Sequence, residues 1–368
     1  MTSEHSDTHL TAYASPLTIF ITGGNGQVGF ELQRQFAIFG SILAPTRQEL
    51  DLTNAQAVEA YLAQHSPGLI LNAAAYTAVD NAESEPEQAK RLNADLPAQL
   101  AAYAVKHGIA LVHYSSDYVY PGDGEVPWQE ESPTGPLNVY GKTKLEGDQA
   151  VQQSGCQHLI FRTSWVYAAR GNNFMNTMLR LGREREALTI VNDQIGAPTP
   201  ARLIAQVSAL ACSANYSATT RHSATIPHSG TITHHSGTTT HHSPFTTDDS
   251  PNTTDDSTST SLSTSLSTAH RSPFTLHIPS GIYHLAPRGE TSWQGFAREI
   301  FNHAREAGIT LAITPKTAEG IPTAEYPTPA MRPLNSRMAL GKLESALGIA
   351  MPTWQSQLAL TLKEYCEK

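Results

Sequence analysis

A tyrosine and a lysine separated by three residues form the most chemically suggestive pattern in this sequence, Tyr140-Gly141-Lys142-Thr143-Lys144. Positions i and i+4 share one face of a helix, so Tyr140 and Lys144 are expected to project into a single pocket. Ser116 lies 24 residues upstream, at the end of a predicted strand. A free phenol has a pKa of about 10, and a neighbouring ammonium is predicted to lower it toward neutrality. Together these side chains predict acid catalysis, in which Tyr140 protonates a carbonyl oxygen that Ser116 also hydrogen bonds.

A glycine-rich loop lies near the start of the chain, between an apolar run and a segment of helical spacing. It contains Gly23, Gly26, Gln27, Val28 and Gly29. The three glycines permit a tight turn, close approach of the backbone to a pyrophosphate, and tight helix–strand packing. Such glycines also occur in ordinary turns, but the preceding strand and following helix favour dinucleotide binding. A bound nicotinamide would supply hydride to the carbon whose oxygen Tyr140 protonates, and its oxidised form would further favour the phenolate.

Short apolar runs and segments of helical spacing alternate along the first half of the chain. The predicted strands are 17–22, 41–44, 69–74, 109–114 and 159–162, and the predicted helices are 27–39 and 92–107. This alternation predicts an α/β protein with a Rossmann-type, doubly wound parallel sheet. We expect this dinucleotide-binding domain, with the catalytic tyrosine and lysine, to span residues 17–187.

The remaining chain is less regular. Residues 188–212 and 276–368 contain many prolines and are predicted to form a smaller C-terminal substrate-binding lobe, with some return to the Rossmann core. Of the 63 residues from 213 to 275, 31 are Ser or Thr, and apolar residues there show no period. Such a stretch cannot bury enough surface to offset its ordering entropy, so we predict a disordered insertion. Residues 1–16 are predicted to be a disordered tail.

Composition excludes several classes of protein. The net charge of -9 argues against a nucleic-acid-binding surface. No run of 18 apolar residues is present, so no membrane span is predicted. No basic residue precedes Arg34, so a secretory signal peptide is not expected. Three widely separated cysteines exclude a disulfide scaffold or a cysteine-rich zinc module. We therefore expect a soluble, cytoplasmic protein without a metal site.

The motifs resemble those of the extended short-chain dehydrogenase/reductases. The glycine spacing is G-x-x-G-x-x-G, and Asn72-Ala73-Ala74-Ala75 is similar to a turn of that superfamily that passes beneath the cofactor. Further segments narrow the resemblance to the dTDP-4-dehydrorhamnose reductase family, which reduces the C4 ketone of dTDP-4-dehydro-6-deoxy-L-mannose to dTDP-L-rhamnose in the last step of dTDP-rhamnose biosynthesis. These segments are 73–80, 82–86, 113–122, 136–141, 161–167, 171–174, 192–199 and 326–336.

The resemblance implies a role for each matching residue. The pyrophosphate would be held by the glycine loop, and the adenine flanked by Asp51 and Leu52. The cofactor would also contact Ala73, Ala75, Tyr76, Thr77, Tyr140 and Lys144. The sugar substrate would contact Ser116, Asp117, Tyr118, Trp165, Asn173 and Arg332. A buried structural role would equally explain Asn173, and Trp165 alone is as consistent with core packing.

The residues after the second predicted strand bear on cofactor choice. An acidic side chain at this point usually accepts hydrogen bonds from the ribose 2′-hydroxyl of NAD and repels a 2′-phosphate. Here Thr46 and Arg47 follow the strand, and no Asp or Glu occurs before Glu49. Because Arg47 can donate charge-assisted hydrogen bonds to a phosphate, we predict NADPH in preference to NADH, with NADH still usable.

Some alternatives remain open. Some family members dimerise through a metal ion that glutamates bind. One of these glutamates corresponds to Glu31 here, but Arg202 stands where another is expected, and a guanidinium cannot ligate a cation. We therefore expect a monomer or weak homodimer whose partner is a dTDP-sugar, not a nucleic acid or membrane. Another nucleotide-sugar epimerase or dehydratase is one rival, and Asp117 beside Ser116 leaves it partly open. A non-catalytic nucleotide-binding regulatory subunit is the other, although such a protein would have no need of Tyr140 and Lys144.

Overall fold

The computed structural model describes residues 17–214 and 274–367. They belong to one of the two units of the chain, Met1–Tyr216 with Arg271–Lys368, and the other, Ser217–His270, lies outside the described residues. The predicted tail 1–16 and most of the predicted insertion 213–275 also lie outside them. At both ends of the insertion, however, the chain forms strands, Cys212–Ala214 and Phe274–Leu276, which pair antiparallel. The predicted insertion, 213–275, therefore includes two residues at each end that belong to this antiparallel ladder.

Fifteen strands are present among the described residues. They are β1 (Thr18–Thr22), β2 (Ser41–Leu43), β3 (Leu69–Asn72), β4 (Ala110–Ser116), β5 (Gln157–Thr163), β6 (Val166–Tyr167), β7 (Leu188–Val191), β8 (Ile195–Gly196), β9 (Thr199–Pro200), β10 (Cys212–Ala214), β11 (Phe274–Leu276), β12 (Gly281–His284), β13 (Thr291–Ser292), β14 (Ala318–Ile321) and β15 (Asn335–Ser336). Six of them form one parallel sheet in the order β12-β5-β4-β3-β1-β2. The direction of winding reverses between β1 and β3, which is where such sheets bind ligands at their carboxyl edge.

Eleven α-helices are described. They are α1 (Gln27–Phe36), α2 (Ala55–His65), α3 (Val79–Ala82), α4 (Pro86–Lys90), α5 (Leu96–His107), α6 (Val139–Ser154), α7 (Phe174–Glu184), α8 (Ala201–Ala211), α9 (Trp293–Glu306), α10 (Gly341–Leu347) and α11 (Trp354–Cys366). A π-helical turn, Arg91–Asp95, joins α4 to α5.

Helices cover both faces of the sheet because successive strand residues point to opposite sides. Ile19 and Ile21 of β1 pack in one core with α1 and α8, whereas Phe20 packs in the other with α2, α5 and α6. The predicted Rossmann-type, doubly wound fold is therefore confirmed. The five predicted strands are present with small shifts at their ends, and the sixth, β12, comes from the chain after the insertion.

A third core lies away from the sheet and combines α7, α9 and α11 around residues such as Met175, Phe296 and Leu358. This core corresponds to the predicted smaller lobe, but its composition differs from the prediction in two elements. Helix α7, predicted within the Rossmann domain, packs in the lobe through its apolar face. Helix α8, predicted in the lobe, packs on α1 in the Rossmann layer. The predicted domain boundary at residue 187 therefore does not separate the two cores.

Candidate active site

Helix α6 holds the predicted tyrosine and lysine at the carboxyl edge of the sheet. The Asn138 side chain caps its N-terminus by accepting a hydrogen bond from the Gly141 amide at 2.8 Å. A side chain at position 141 would overlap the Tyr118 carbonyl, so the glycine lets α6 approach the loop after β4. Tyr140 and Lys144 lie one turn apart on the helix, and the Lys144 ammonium, buried, donates to the Tyr114 carbonyl at 2.6 Å. Lys144 therefore faces β4, and Tyr140 faces Tyr118 in the turn that follows β4.

Ser116 ends β4 beside this pair. Its hydroxyl donates to Asp117 Oδ1 at 3.0 Å and accepts from the Tyr118 amide at 3.2 Å. Burial raises the pKa of Tyr140 to about 12, although the hydrogen bond with Ser116 opposes this rise. The expectation that its pKa is lowered toward neutrality is wrong for the unliganded pocket, because desolvation of a phenolate outweighs the hydrogen bond. At neutral pH Tyr140 is thus a neutral phenol, the form that donates a proton.

Lys144 is the cation of the pocket. Burial lowers its pKa to about 8, and the carboxylate of Asp148, one turn further along α6, opposes that fall. The ammonium form is therefore present at neutral pH and is lost as the pH rises through about 8. An ammonium one turn from Tyr140 on α6 would stabilise a phenolate formed when the proton leaves.

The glycine loop between β1 and α1 has the geometry of a phosphate cradle. Gly23 has φ of +67°, and its carbonyl accepts from the Gly26 amide at 2.8 Å. A Cβ at Gly29 would overlap that same carbonyl, so the loop folds this tightly only with glycine there. Helix α1 has no side-chain cap at Gly26, which leaves amide donors at its N-terminus for a ligand. These observations fit a dinucleotide pyrophosphate.

The loop after β3 lies against the glycine loop and carries the predicted contacts Ala73, Ala75, Tyr76 and Thr77. A Cβ at Gly23 would come within 2.9 Å of Ala74, so the two loops touch. Asn93, fully buried in the π-helical turn, accepts from the Tyr76 amide at 2.8 Å and donates to Thr143 Oγ1 at 3.1 Å. Asn93 thereby ties this loop to the catalytic helix. Sequence reasoning missed it, and its only signal is a polar residue in an Ala/Leu-rich helix.

The residues predicted around the adenosine half follow β2. Arg47 is exposed, and its charge helps to lower the pKa of Asp51, after the larger effect of two hydrogen bonds from Thr53. The Thr46 amide donates to the Glu49 carboxylate at 2.7 Å. Asp51 is thus used in a local turn, with Leu52 beside it half-buried.

The predicted sugar contacts divide into two groups. Asp117, almost fully buried, has its pKa raised to about 6 by desolvation, a rise that hydrogen bonds with Ser336 and Ser116 oppose. Apart from Ser336, its Oδ2 atom has no hydrogen-bond partner among the described residues. The Tyr118 ring packs edge-on against Tyr140, with 5.4 Å between centroids. Trp165 has φ of +49°, a strained value for a side chain of this size, and stacks on Trp293 at 3.8 Å. Asp117 and Tyr118 thus contact Ser116 and Tyr140, and Trp165 has the kind of strained backbone that is often found at functional sites.

The other group, Asn173 and Arg332, is used within the protein. The Asn173 amide caps α7 and donates to Gln27 Oε1 at 2.9 Å and to the Ala168 carbonyl. It therefore fixes a cofactor-loop side chain, and the structural role that the sequence left open explains it. Arg332 pairs with Asp80 at 2.7 Å, although its second terminal nitrogen is buried without a partner among the described residues.

Comparisons with known proteins bear on what this site does. The family model described as RmlD substrate binding domain matches residues 17–242 and 250–367. The dTDP-4-dehydrorhamnose reductase of Salmonella typhimurium is 40% identical over 354 residues, 95% of this chain and 98% of that protein. The chain belongs to this reductase family. The resemblance found in the motifs is thereby confirmed, as is the expected enzyme class of oxidoreductase.

Solved structures of family members agree. A dTDP-4-dehydrorhamnose reductase from Clostridium acetobutylicum is 30% identical with a TM-score of 0.70, covering 95% of this chain and 99% of that one. One from Bacillus anthracis, in complex with NADP, is 28% identical with the same TM-score, covering 95% and 100%.

The sequence also led us to expect no metal site and no membrane span. Among residues 17–214 and 274–367, no group of three His, Cys, Asp or Glu side chains could hold a metal ion. Glu31 is buried, pairs with Arg34 at 3.2 Å, and has its pKa raised by burial against the opposing charges of Arg34 and Arg202. Within the same described ranges, no helix has the length and apolarity needed to cross a bilayer.

Proposed function

We propose that this chain reduces the C4 ketone of dTDP-4-dehydro-6-deoxy-L-mannose to dTDP-L-rhamnose with NADPH, the final step of dTDP-rhamnose formation. The observation that carries the proposal is the group of buried Lys144, buried Ser116 and half-buried Tyr140, placed beside a glycine loop built for a pyrophosphate. Relatives at 36–40% identity over nearly the whole chain are named as this reductase, which supports the substrate.

The chain's residues fit NADPH at both ends. The amide donors at the N-terminus of α1 would hold the pyrophosphate, and Ala75, Tyr76 and Thr77 would lie along the nicotinamide ribose. Arg47 would donate to the 2′-phosphate, in agreement with the NADP bound in the Bacillus anthracis relative. When bound, the cofactor supplies the hydride that reaches C4.

The proton comes from Tyr140. Its raised pKa keeps the phenol protonated until negative charge develops on the C4 oxygen, and Ser116, whose hydroxyl donates to Asp117 Oδ1 in this structure, would turn that donor toward the same oxygen. The Lys144 ammonium then stabilises the phenolate left behind. One hydride and one proton are added in all, so the ketone becomes an alcohol and the charges balance.

The sugar would be positioned by Asp117, Tyr118 and Trp165. The ionised Asp117 carboxylate, whose buried Oδ2 has no partner among the described residues apart from Ser336, would accept a hydrogen bond from a sugar hydroxyl. The Trp165 ring, fixed by its stack on Trp293, offers a flat apolar face to a pyranose ring. Arg332 would contact the substrate only through the nitrogen that Asp80 does not occupy.

The finer statements about the protein's setting are also proposals. A cytoplasmic location is supported by its three free cysteines, which are typical of a reducing compartment. A monomeric or weakly dimeric state is supported by Arg202, which lies near Glu31 in place of an acidic metal ligand.

The test is a product assay. Purified protein is incubated with the 4-keto sugar nucleotide and NADPH, nicotinamide absorbance is followed, and the product is analysed by mass spectrometry. A reductase gives a product heavier by two hydrogens and oxidises one NADPH per sugar. An epimerase leaves the mass unchanged, a dehydratase removes one water, and a regulatory subunit gives no product, so each of these results would refute the proposal.

A further inference from the structure

A third charged residue lies on the catalytic face of α6. Asp148 follows Lys144 by four residues and Tyr140 by eight, so the three side chains lie one above another on the helix. Its side chain is fully buried. A carboxylate in such a position is costly unless it is paired, so its neighbours decide what it does.

Two side chains from neighbouring strands face the two oxygens of Asp148. Arg162 on β5 donates to Oδ2 through Nε at 3.0 Å. His113 on β4 faces Oδ1 through Nε2 at 3.7 Å, and neither of these two atoms has another hydrogen-bond partner among the described residues. The carboxylate is therefore hydrogen bonded through Oδ2 only, and Oδ1 has no hydrogen-bond partner among the described residues.

A chain of hydrogen bonds fixes His113. Thr22, Asn72 and His113 stand in register on β1, β3 and β4. Thr22 donates to Asn72 Oδ1 at 2.7 Å, and the Asn72 amide donates to His113 Nδ1 at 3.0 Å. The single proton of the neutral ring then lies on Nε2, pointing at Asp148. Burial, followed by the Lys144 charge, holds the pKa of His113 well below its usual value, so the ring stays neutral.

We propose that Asp148 is a positioning residue of this reductase, whose buried carboxylate, held by Arg162 and faced by His113, is the counter-charge that keeps Lys144, one turn earlier on α6, in its ammonium form. The titratable groups that interact electrostatically with Lys144 are Asp148 on α6 and the neutral His113 on β4, and its amine also donates to the Tyr114 carbonyl on β4. Among the described residues, Asp148 is thus the anion that acts on Lys144. Without it, burial alone acts on Lys144, and the ammonium is lost at a lower pH.

The test follows Lys144 directly. Protein labelled with ¹³C at lysine Cε is titrated by NMR, and the Lys144 signal is assigned by its loss in Lys144→Met. The chain has eight lysines, and Lys144 is expected to titrate near pH 8 in the parent protein. In Asp148→Asn its midpoint is expected about one pH unit or more lower, the effect of removing a nearby opposite charge. The alkaline limb of kcat should move by the same amount with KM unchanged, and Asp148→Glu should restore both.

Two further variants separate this role from a structural one. Asp148→Asn leaves Arg162 unpaired, so Asp148→Leu combined with Arg162→Met removes the whole pair and leaves an apolar contact that favours folding. The same downward shift of Lys144 is expected in the folded double variant. Glu130→Gln removes another buried carboxylate, which accepts from the His284 amide and does not act on Lys144, and should leave the midpoint unchanged.

A Lys144 midpoint at the parent pH in either folded Asp148 variant, or an equal shift in Glu130→Gln, overturns the proposal. Its kinetic arm rests on the proposed reductase function. Because the NMR titration needs no substrate, failure of the parent protein to reduce the keto sugar would be recognised separately.

Discussion

Replacing Tyr140 with phenylalanine tests the proton donor with the least change to the pocket. The substitution removes one buried hydroxyl and keeps the ring that packs edge-on against Tyr118. General acid catalysis contributes about 10²- to 10⁴-fold to a rate. At 1.36 kcal/mol per factor of ten, kcat should fall by an amount equivalent to about 2.7–5.4 kcal/mol. The upper part of this range is expected, because the buried pocket restricts the entry of water as a substitute acid.

Other properties should change little. The pyrophosphate cradle lies on a different helix, α1, and phenylalanine keeps the ring of Tyr140, so the loss of one hydroxyl from the proposed Tyr140–cofactor contact should leave the Kd for NADPH within about twofold of the parent value. The hydroxyl's hydrogen bond with Ser116 contributes about 1 kcal/mol to the stability of the fold, so Tm should move by only a few degrees. A loss of kcat with intact cofactor binding and folding therefore identifies a step in the chemistry.

The assay is single-turnover reduction of the keto sugar, followed by nicotinamide absorbance, with NADPH binding measured by fluorescence titration. Tyr118→Phe is the comparison variant, since it removes the hydroxyl of a neighbouring, half-buried tyrosine that is proposed to position the sugar and not to donate the proton. It is expected to lower kcat by less than about tenfold. A Tyr140→Phe variant that keeps more than about a tenth of the parent turnover would refute Tyr140 as the acid. A parallel rise in the Kd for NADPH would point instead to a binding role.

Three further results are expected. Arg47→Ala should weaken NADPH by about 1.5–3 kcal/mol, the value of a hydrogen bond to a charged group, and leave NADH binding almost unchanged; an equal loss for both cofactors would contradict the assignment. Replacing residues 215–273 with a four-residue turn should preserve activity, because Ala214 and Phe274 are already paired across the ladder, and the shorter loop should raise the free energy of unfolding by about 2 kcal/mol. An insoluble or inactive product would instead make the segment structural. For Asp117, whose pKa is about 6, the KM for the sugar should rise as the pH falls through that value, because the carboxylate becomes protonated and stops accepting. Asp117→Asn should have a higher KM that no longer varies there, and a flat parent profile from about pH 5 to 7 would rule out the contact.

The fold was predictable wherever the chain's local pattern determines it. The apolar runs that became β1, β3, β4 and β5 are short, bounded by turns, and separated by helical segments, so their pairing follows from the parallel-sheet rule. Strand β12 could not be found in this way, because Gly281–His284 is four residues long and its partner β5 is more than a hundred residues distant. For the same reason, the sequence could not assign α7 and α8 to their cores. Both helices are amphipathic, and only the surface against which each one packs distinguishes them.

The same distinction between local pattern and distant partners applies to the residues of the candidate site. Tyr140, Lys144 and the glycine loop could be proposed from the sequence because their chemistry depends on spacing within one turn or one helix. Asn93 and Asp148 gave no such signal because their hydrogen-bond partners, Tyr76 and Arg162 among them, belong to other elements. Asn173 was assigned to the substrate because its motif matched, although its amide is used to cap α7 and to hold Gln27.

The pKa of Tyr140 shows why a lysine four residues away is not enough to predict the direction of a pKa shift. A lysine at i+4 suggests a lowered pKa, but both side chains lie in a pocket where desolvation is the larger effect. Desolvation acts oppositely on the two groups, raising the pKa of the phenol to about 12 and lowering that of the ammonium to about 8. Because the pKa of the phenol lies above that of the ammonium, both groups are protonated below about pH 8. Between about pH 8 and 12 only the phenol remains protonated. Reduction of a ketone requires the doubly protonated state, because the phenol must give a proton and the ammonium must stabilise what remains. The buried pocket therefore holds its acid ready for reduction, and oxidation of the product alcohol would require the phenolate that this environment disfavours.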